Sequence, residues 1–186
     1  MMKTNNMYSV STFGKIGDTT VVSIFYQNQK LARLSTSSLD ALIEDANKLF
    51  EAHNYIQACE KYYKVMEEII KKLAELYQSS NEKISKIIEK VKNSGFWYTR
   101  LLEQAALEIS KLFKEKGLDK DLPFYDAWED ALRLHRDCFH EQILTPESIE
   151  EKKKKIMIVY TRIKEILTKT DEQYLIMYDQ GDNSSY

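Results

Sequence analysis

The chain has 186 residues, enough for one domain with a full hydrophobic core plus short appendages. Hydrophobic residues make up 43% and charged residues 30%, with only five glycines and two prolines, a composition that favours long helices over a loop-rich β fold. The 27 basic residues are balanced by 29 acidic ones, which excludes a generally basic nucleic-acid surface and makes any RNA site a local one.

Residues 1–37 read as an N-terminal extension. Val21-Val22-Ser23-Ile24-Phe25-Tyr26 is rich in β-branched and aromatic residues, and Gly14-Lys15-Ile16-Gly17-Asp18 before it is a turn signal. Tyr8-Ser9-Val10-Ser11-Thr12-Phe13 is the candidate partner strand of a β-hairpin. Ser35-Thr36-Ser37-Ser38 links this extension to the helical part of the chain and supplies a helix cap.

From residue 38 to 169 the apolar period is close to 3.6. Leu39, Leu42, Ile43, Ala46, Leu49 and Phe50 mark a first helix ending near His53-Asn54, where a histidine suits the negative end of the helix dipole. A longer second helix carries Tyr55, Ala58, Cys59, Tyr62, Val65, Met66, Ile69, Ile70 and Leu73. Ser79-Ser80-Asn81 breaks the chain, and Ile84, Ile87, Ile88 and Val91 form a third stripe that stops at Asn93-Ser94-Gly95. The fourth helix runs from Leu101 and Leu102 to Phe113, with Gly117 as its stop. Pro123 opens the fifth, and Thr145-Pro146-Glu147 opens the sixth with a threonine cap, a proline at the first helical position and an acid in the first turn. Ile149, Ile156, Val159, Ile163 and Ile166 are its core stripe. Residues 170–186 are a polar tail interrupted by Tyr174-Leu175-Ile176-Met177-Tyr178, read as a strand-like segment too apolar to float free.

Cys59 and Cys138 lie inside apolar helical patterns, and each reads as a small buried hydrophobe rather than part of a disulfide scaffold. No apolar run reaches the 18 residues a membrane span needs, and the first residues lack the apolar core of a signal peptide, so a cytoplasmic protein is expected.

The fifth helix holds the densest chemistry. At 100° per residue, Phe124, Trp128, Ala131, Leu132, His135, Cys138 and Phe139 share an apolar face. Asp126, Glu129, Asp130, Arg133, Arg136, Asp137, His140 and Glu141 share the wet one. Trp128, Ala131, Leu132, His135, Cys138 and Phe139 are therefore expected in the core. Arg133 and His140 are seven residues apart, roughly 10.5 Å along one helix, too far for both to grip one phosphate. An antiparallel two-fold pairing centred near residues 136–137 would bring Arg133 of one copy beside His140 of the other, twice. Histidine can then move a proton at a ribose hydroxyl while arginine steadies the phosphate. Arg136, His135 and Glu141 are the neighbouring binding candidates. The same face also reads as ordinary surface charge, with Glu129–Arg133 and Arg133–Asp137 at ion-pair spacing. Lys152-Lys153-Lys154-Lys155 follows Glu150-Glu151 and reads as a solvated, ion-paired face.

The stretch Phe50-Glu51-Ala52-His53-Asn54-Tyr55-Ile56-Gln57-Ala58-Cys59-Glu60-Lys61-Tyr62-Tyr63-Lys64-Val65-Met66-Glu67, together with Ala127-Trp128 and Leu134-His135-Arg136-Asp137-Cys138-Phe139-His140-Glu141, resembles the archaeal PaREP-type family, which is placed among the HEPN-like helical domains. The resemblance covers about residues 38–168. It implies an all-α antiparallel bundle of five to six helices. Many HEPN domains are metal-independent endoribonucleases that act as dimers, with a signature of arginine, four to six residues, then histidine. Arg133 and His140 match it, and Arg136 with His140 does not. The position after the arginine, polar in catalytic members, is Leu134 here.

The expectation is an all-α, HEPN-like bundle with short strand-like segments at both ends. Its leading function is that of a homodimer acting on RNA with Arg133 and His140 as catalytic residues, and with no cofactor, no metal and no membrane. The alternatives are a non-catalytic protein-interaction module, antitoxin-like or scaffolding, and a small nucleotide-binding bundle.

Overall fold

The computed structural model describes the backbone of residues 8–16, 19–26, 29–30, 36–118 and 122–179, and side chains within residues 38–118 and 122–165. It is an all-α bundle. The helices are α1 (Thr36–Glu51), α2 (Tyr55–Tyr77), α3 (Glu82–Ser94), α4 (Thr99–Glu115), α5 (Phe124–Arg133) and α6 (Pro146–Asp179), with a π-helical turn at Leu134–His140 between the last two. Before them stand β1 (Tyr8–Ile16), β2 (Thr19–Tyr26) and β3 (Gln29–Lys30), an antiparallel sheet in the order β1-β2-β3 with Tyr8 opposite Tyr26. The expected hairpin is present, and β1 runs on through Lys15 and Ile16, past a shift of register after Thr12. Of the expected turn Gly14-Lys15-Ile16-Gly17-Asp18, the first three residues belong to β1 instead, and Gly17 and Asp18 lie outside the described residues.

The C-terminal expectation is corrected. Residues 174–178 continue α6 and form no strand, and the 34-residue helix crosses position 170 without a break. Nothing interrupts it after Pro146, because no further proline or glycine occurs before Gly181.

The helix ends follow local rules. Asn81 caps α3 by accepting from the Ile84 amide at 3.0 Å, and the Thr145 hydroxyl accepts from the Ser148 amide at 3.3 Å. Gly117 ends α4 at φ +67°, with the Leu118 amide donating to Phe113 and the Gly117 amide to Lys114. His53 plays the same part after α1 at φ +58°, with the Asn54 amide on Leu49 and the His53 amide on Phe50. Its ring bonds the Tyr55 hydroxyl at 2.7 Å, so it is a helix-end histidine.

α2 is the axis of the bundle, touching α1, α3, α4, α5, α6 and the π-turn. Ala58, Cys59, Tyr62, Val65, Met66, Ile69, Ile70, Leu73 and Ala74 of this helix are all buried. α5 and α6 pack on it and on each other. Ile149, Ile156, Val159 and Ile163 fill the inner stripe of α6 as its periodicity predicts, while the side chain of Ile166 lies outside the described ones. Asp130 departs from its expected wet position. α6 covers it, and Lys155 pairs with it at 2.9 Å and is held above its usual lysine pKa mainly by that bond. The cysteines are corrected as well. Cys59 and Cys138 are not separate hydrophobes but a disulfide that ties α2 to the π-turn across 79 positions, with Cα atoms 6.3 Å apart. Among the described residues no helix is long and apolar enough to cross a membrane.

Candidate functional site

The site is made by the π-turn. In an α-helix, five residues turn the chain well past one revolution, so positions i and i+5 point about 140° apart. A π-helix closes its hydrogen bonds from i to i+5 and stacks those same positions. Its exit keeps the wider spacing: the Glu141 amide donates to Arg136 at 3.0 Å and the Ile143 amide to Asp137 at 2.8 Å, with Gln142 in the left-handed region at φ +55°. As a result His135 and His140 meet, and their Nε2 atoms lie 3.1 Å apart.

The face expectations hold only in part. Trp128, Ala131 and Cys138 are buried as expected, but Leu132, His135 and Phe139 are only half-buried. Leu134, assigned to neither face by the α-helical count, is fully buried. Leu134 therefore points into this core.

His135 is fixed from several sides. Its Nδ1 lies 2.6 Å from Glu60 Oε2 on α2. Tyr63, one turn further along α2, stacks on it with centroids 4.3 Å apart and planes at 22°. Phe139 lies nearly parallel to it at 5.8 Å. Burial, with the charge of Glu67 adding to it, pushes the Tyr63 phenol up to about 12, so this ring is a neutral stacking partner. The disulfide joins Cys59, the residue before Glu60, to Cys138, which lies between the two histidines.

Hydrogen-bond chemistry orders the chain of groups. A carboxylate only accepts, so His135 Nδ1 carries the proton toward Glu60. A neutral His135 then presents the Nε2 lone pair, and His140 Nε2–H donates to it. His140 is exposed, and its Nδ1 remains for an outside partner. Glu60–His135–His140 is thus a carboxylate–imidazole–imidazole chain that starts against α2 and ends in solvent.

The arginines are arranged differently. Arg133 is exposed at the last position of α5, and among the described residues no hydrogen bond or ion pair joins it to His140 within this chain. Arg136 is exposed and forks onto its neighbour Asp137 with Nη2···Oδ2 at 3.2 Å. That pairing replaces the expected Arg133–Asp137 contact. Glu141 is exposed just past the turn. In the lysine run, Lys155 turns to Asp130, and Lys153 lies over the Phe50 ring at 4.3 Å and beside Glu150 at 3.7 Å, in place of simple i,i+4 pairs. Sequence reading finds both histidines and misses Glu60, which is 75 positions away on a helix face with no motif of its own.

The sequence model of the archaeal PaREP1/PaREP8 family matches residues 34–159. A crystal structure of a protein from Sulfolobus solfataricus is similar at 27% identity and a TM-score of 0.52, over 69% of this chain and 96% of that one. A solution structure of the same target is similar at 28% identity and a TM-score of 0.51, over 69% and 91%. No curated protein matches the chain.

Proposed function

The chain belongs to the archaeal PaREP1/PaREP8 family, and from that premise we propose that it is an HEPN-like endoribonuclease that works as a dimer without a metal ion. The observation that carries the reading is the hydrogen-bonded chain Glu60–His135–His140 ending on an exposed imidazole. Histidine exchanges protons near neutrality, and a partner behind it fixes its tautomer and direction. His140 Nδ1 takes the proton of a ribose 2′-hydroxyl, the oxygen attacks the adjacent phosphorus to form a 2′,3′-cyclic phosphate, and the P–O5′ bond breaks as the departing 5′-oxygen takes a proton from water. His135, steadied by Glu60, stabilises the charge that His140 gains. Within one copy no described contact brings an arginine to His140, so Arg133 serves from a second copy, through antiparallel pairing of the two π-turns. Arg136 and Glu141 border the entrance.

The test is cleavage of mixed single-stranded RNA in the presence of chelator. His140→Ala is expected to lose about 10²–10⁴ in rate, as removal of a general acid–base group does. Mixing His140→Ala with Arg133→Ala is expected to restore part of the activity, because a mixed dimer keeps one intact composite site. Equal cleavage by wild type and His140→Ala, or no cleavage by wild type, overturns the proposal.

One observation favours the interaction-module reading. Phe96 and Tyr98, between α3 and α4, and Ile143, just after the π-turn, are more than half exposed despite their size. A protein that forms specific complexes through these residues and leaves RNA intact has that role instead.

A further inference from the structure

We propose that His135 and His140 form a two-histidine chelate for a divalent cation of the Zn²⁺ class. The inference is independent of RNA cleavage and rests on three features of the pair.

The first is spacing. The two Nε2 atoms are 3.1 Å apart. Two nitrogens that each bind one Zn²⁺ at about 2.0–2.1 Å with a near-tetrahedral angle lie roughly 3.3 Å from each other. A shift of a few tenths of an ångström therefore turns the hydrogen-bonded pair into a pincer. The second is direction. The ring planes are at 81° and the centroids only 4.5 Å apart, so the rings meet at an angle rather than end to end. The third is the partner behind His135. A metal-bound histidine usually donates its other ring N–H to a carboxylate, and Glu60 already receives His135 Nδ1 at 2.6 Å. That bond leaves the His135 Nε2 lone pair facing outward, which is the form a metal needs. The ion takes the place of the single proton now shared between the rings, and that proton moves to His140 Nδ1, so both imidazoles bind in the neutral form.

Imidazole nitrogens select zinc, nickel and copper over magnesium and calcium. Among the described residues no group of three or more histidine, cysteine, aspartate or glutamate side chains gathers into a metal site, so the pair is a two-point chelate whose other positions are filled by water. Because the ion occupies the nitrogens that relay the proton, bound Zn²⁺ and the Glu60–His135–His140 relay exclude each other. The cation is then an inhibitor of any chemistry at His140, not its cofactor.

The experiment is calorimetric titration of the full chain, disulfide intact, with ZnCl₂ in a non-coordinating buffer. One equivalent is expected to bind and to survive millimolar Mg²⁺. His140→Ala and His135→Ala are each expected to abolish the event, Glu60→Gln to weaken it about 10–100-fold as loss of an outer-shell partner does, and His53→Ala to leave it unchanged. His140 is exposed, so its removal leaves the core folded, and circular dichroism of that variant verifies this. Histidine ¹⁵N spectra add a second readout, in which both Nε2 resonances move with Zn²⁺. No binding by wild type, binding that persists in His140→Ala, or binding lost in His53→Ala overturns the inference. None of these results depends on whether RNA is cleaved.

Discussion

The contact between Glu60 and His135 joins the bundle's central helix to the π-turn, and a double-mutant cycle isolates it. The two side chains are 22% and 29% exposed, neither fully dry nor on the surface. A hydrogen bond to a charged group contributes about 1.5–3 kcal/mol when well shielded, and an exposed ion pair about 0–1 kcal/mol. Intermediate exposure puts the coupling at about 1–2 kcal/mol. Glu60→Ala should cost close to that amount. His135→Ala should cost more, because it also removes the stacking on Tyr63, and an aromatic pair adds about 0.5–1.5 kcal/mol. The double variant should then be more stable than the sum of the two losses by about 1–2 kcal/mol. Urea unfolding followed by circular dichroism gives all four corners of the cycle. Repeating it in 1 M salt should reduce the coupling only in part, since partly buried pairs are incompletely screened. Losses that add to within about 0.5 kcal/mol mean that the two groups act independently, and the relay is then no structural unit.

Trp128 is fully buried, so Trp128→Ala should cost about 3–5 kcal/mol in chemical denaturation. Its indole Nε1 has no hydrogen-bond partner, so Trp128→Phe should cost distinctly less; equal losses would show that this N–H is satisfied. The disulfide closes 79 positions of chain, and loop entropy gives it about 4–5 kcal/mol, so reductant or the pair Cys59→Ala with Cys138→Ala should lower the denaturation midpoint strongly, and an unchanged midpoint after confirmed reduction would refute that. Burial alone would push the Glu67 carboxyl up, but hydrogen bonds from Lys64 and Lys71 outweigh it and hold the group below its usual range. Its contribution is therefore present at neutral pH and lost as acid takes the pH down through the lowered value, so Glu67→Gln should flatten the acid limb of the stability profile, and an unchanged limb would count against the pairing.

How much of the molecule is legible in the sequence depends on the range of the interactions. The helices and the inner stripes of α2 and α6 are local or periodic and stand where the 3.6 spacing puts them, except that α1 begins at Thr36, within the expected Ser35–Ser38 linker. Gly95 and Gly117 mark helix ends because each sits in the left-handed region that side chains disfavour. The departures have two sources. Residues 174–178 are apolar without a clear period, and composition alone cannot separate a strand from the end of a long helix. The π-turn has no sequence signature, so counting at 100° misplaces the residues after Leu134 and hides the meeting of the histidines. Glu60 and Cys59 are beyond reach for a third reason. Their partners lie 75 and 79 positions away, and only the packing of the π-turn against α2 brings them together.

The same facts say why the site is where it is. A regular helix offers i and i+4 as neighbours, and at that spacing the residue before His140 is Arg136, so an unbroken α-helix would give His140 no imidazole partner. The chain instead widens one turn, and a π-turn persists only where its surroundings hold it. Here Leu134 anchors its start in the core, Glu60 holds His135, the disulfide holds Cys138, and Gln142 accepts a left-handed backbone to close it. Three of these four restraints are contacts to the body of the bundle, and two of them come from adjacent residues of α2. Release of those two leaves the wider turn without its support, and relaxation to the α spacing would swing His140 away from His135. The fold would lose little of its core by that change, whereas the paired imidazoles exist only in the widened form. Stability and site geometry are nonetheless coupled at these two points, and variants at Glu60 and Cys138 loosen the widened turn as well as lowering the stability of the fold.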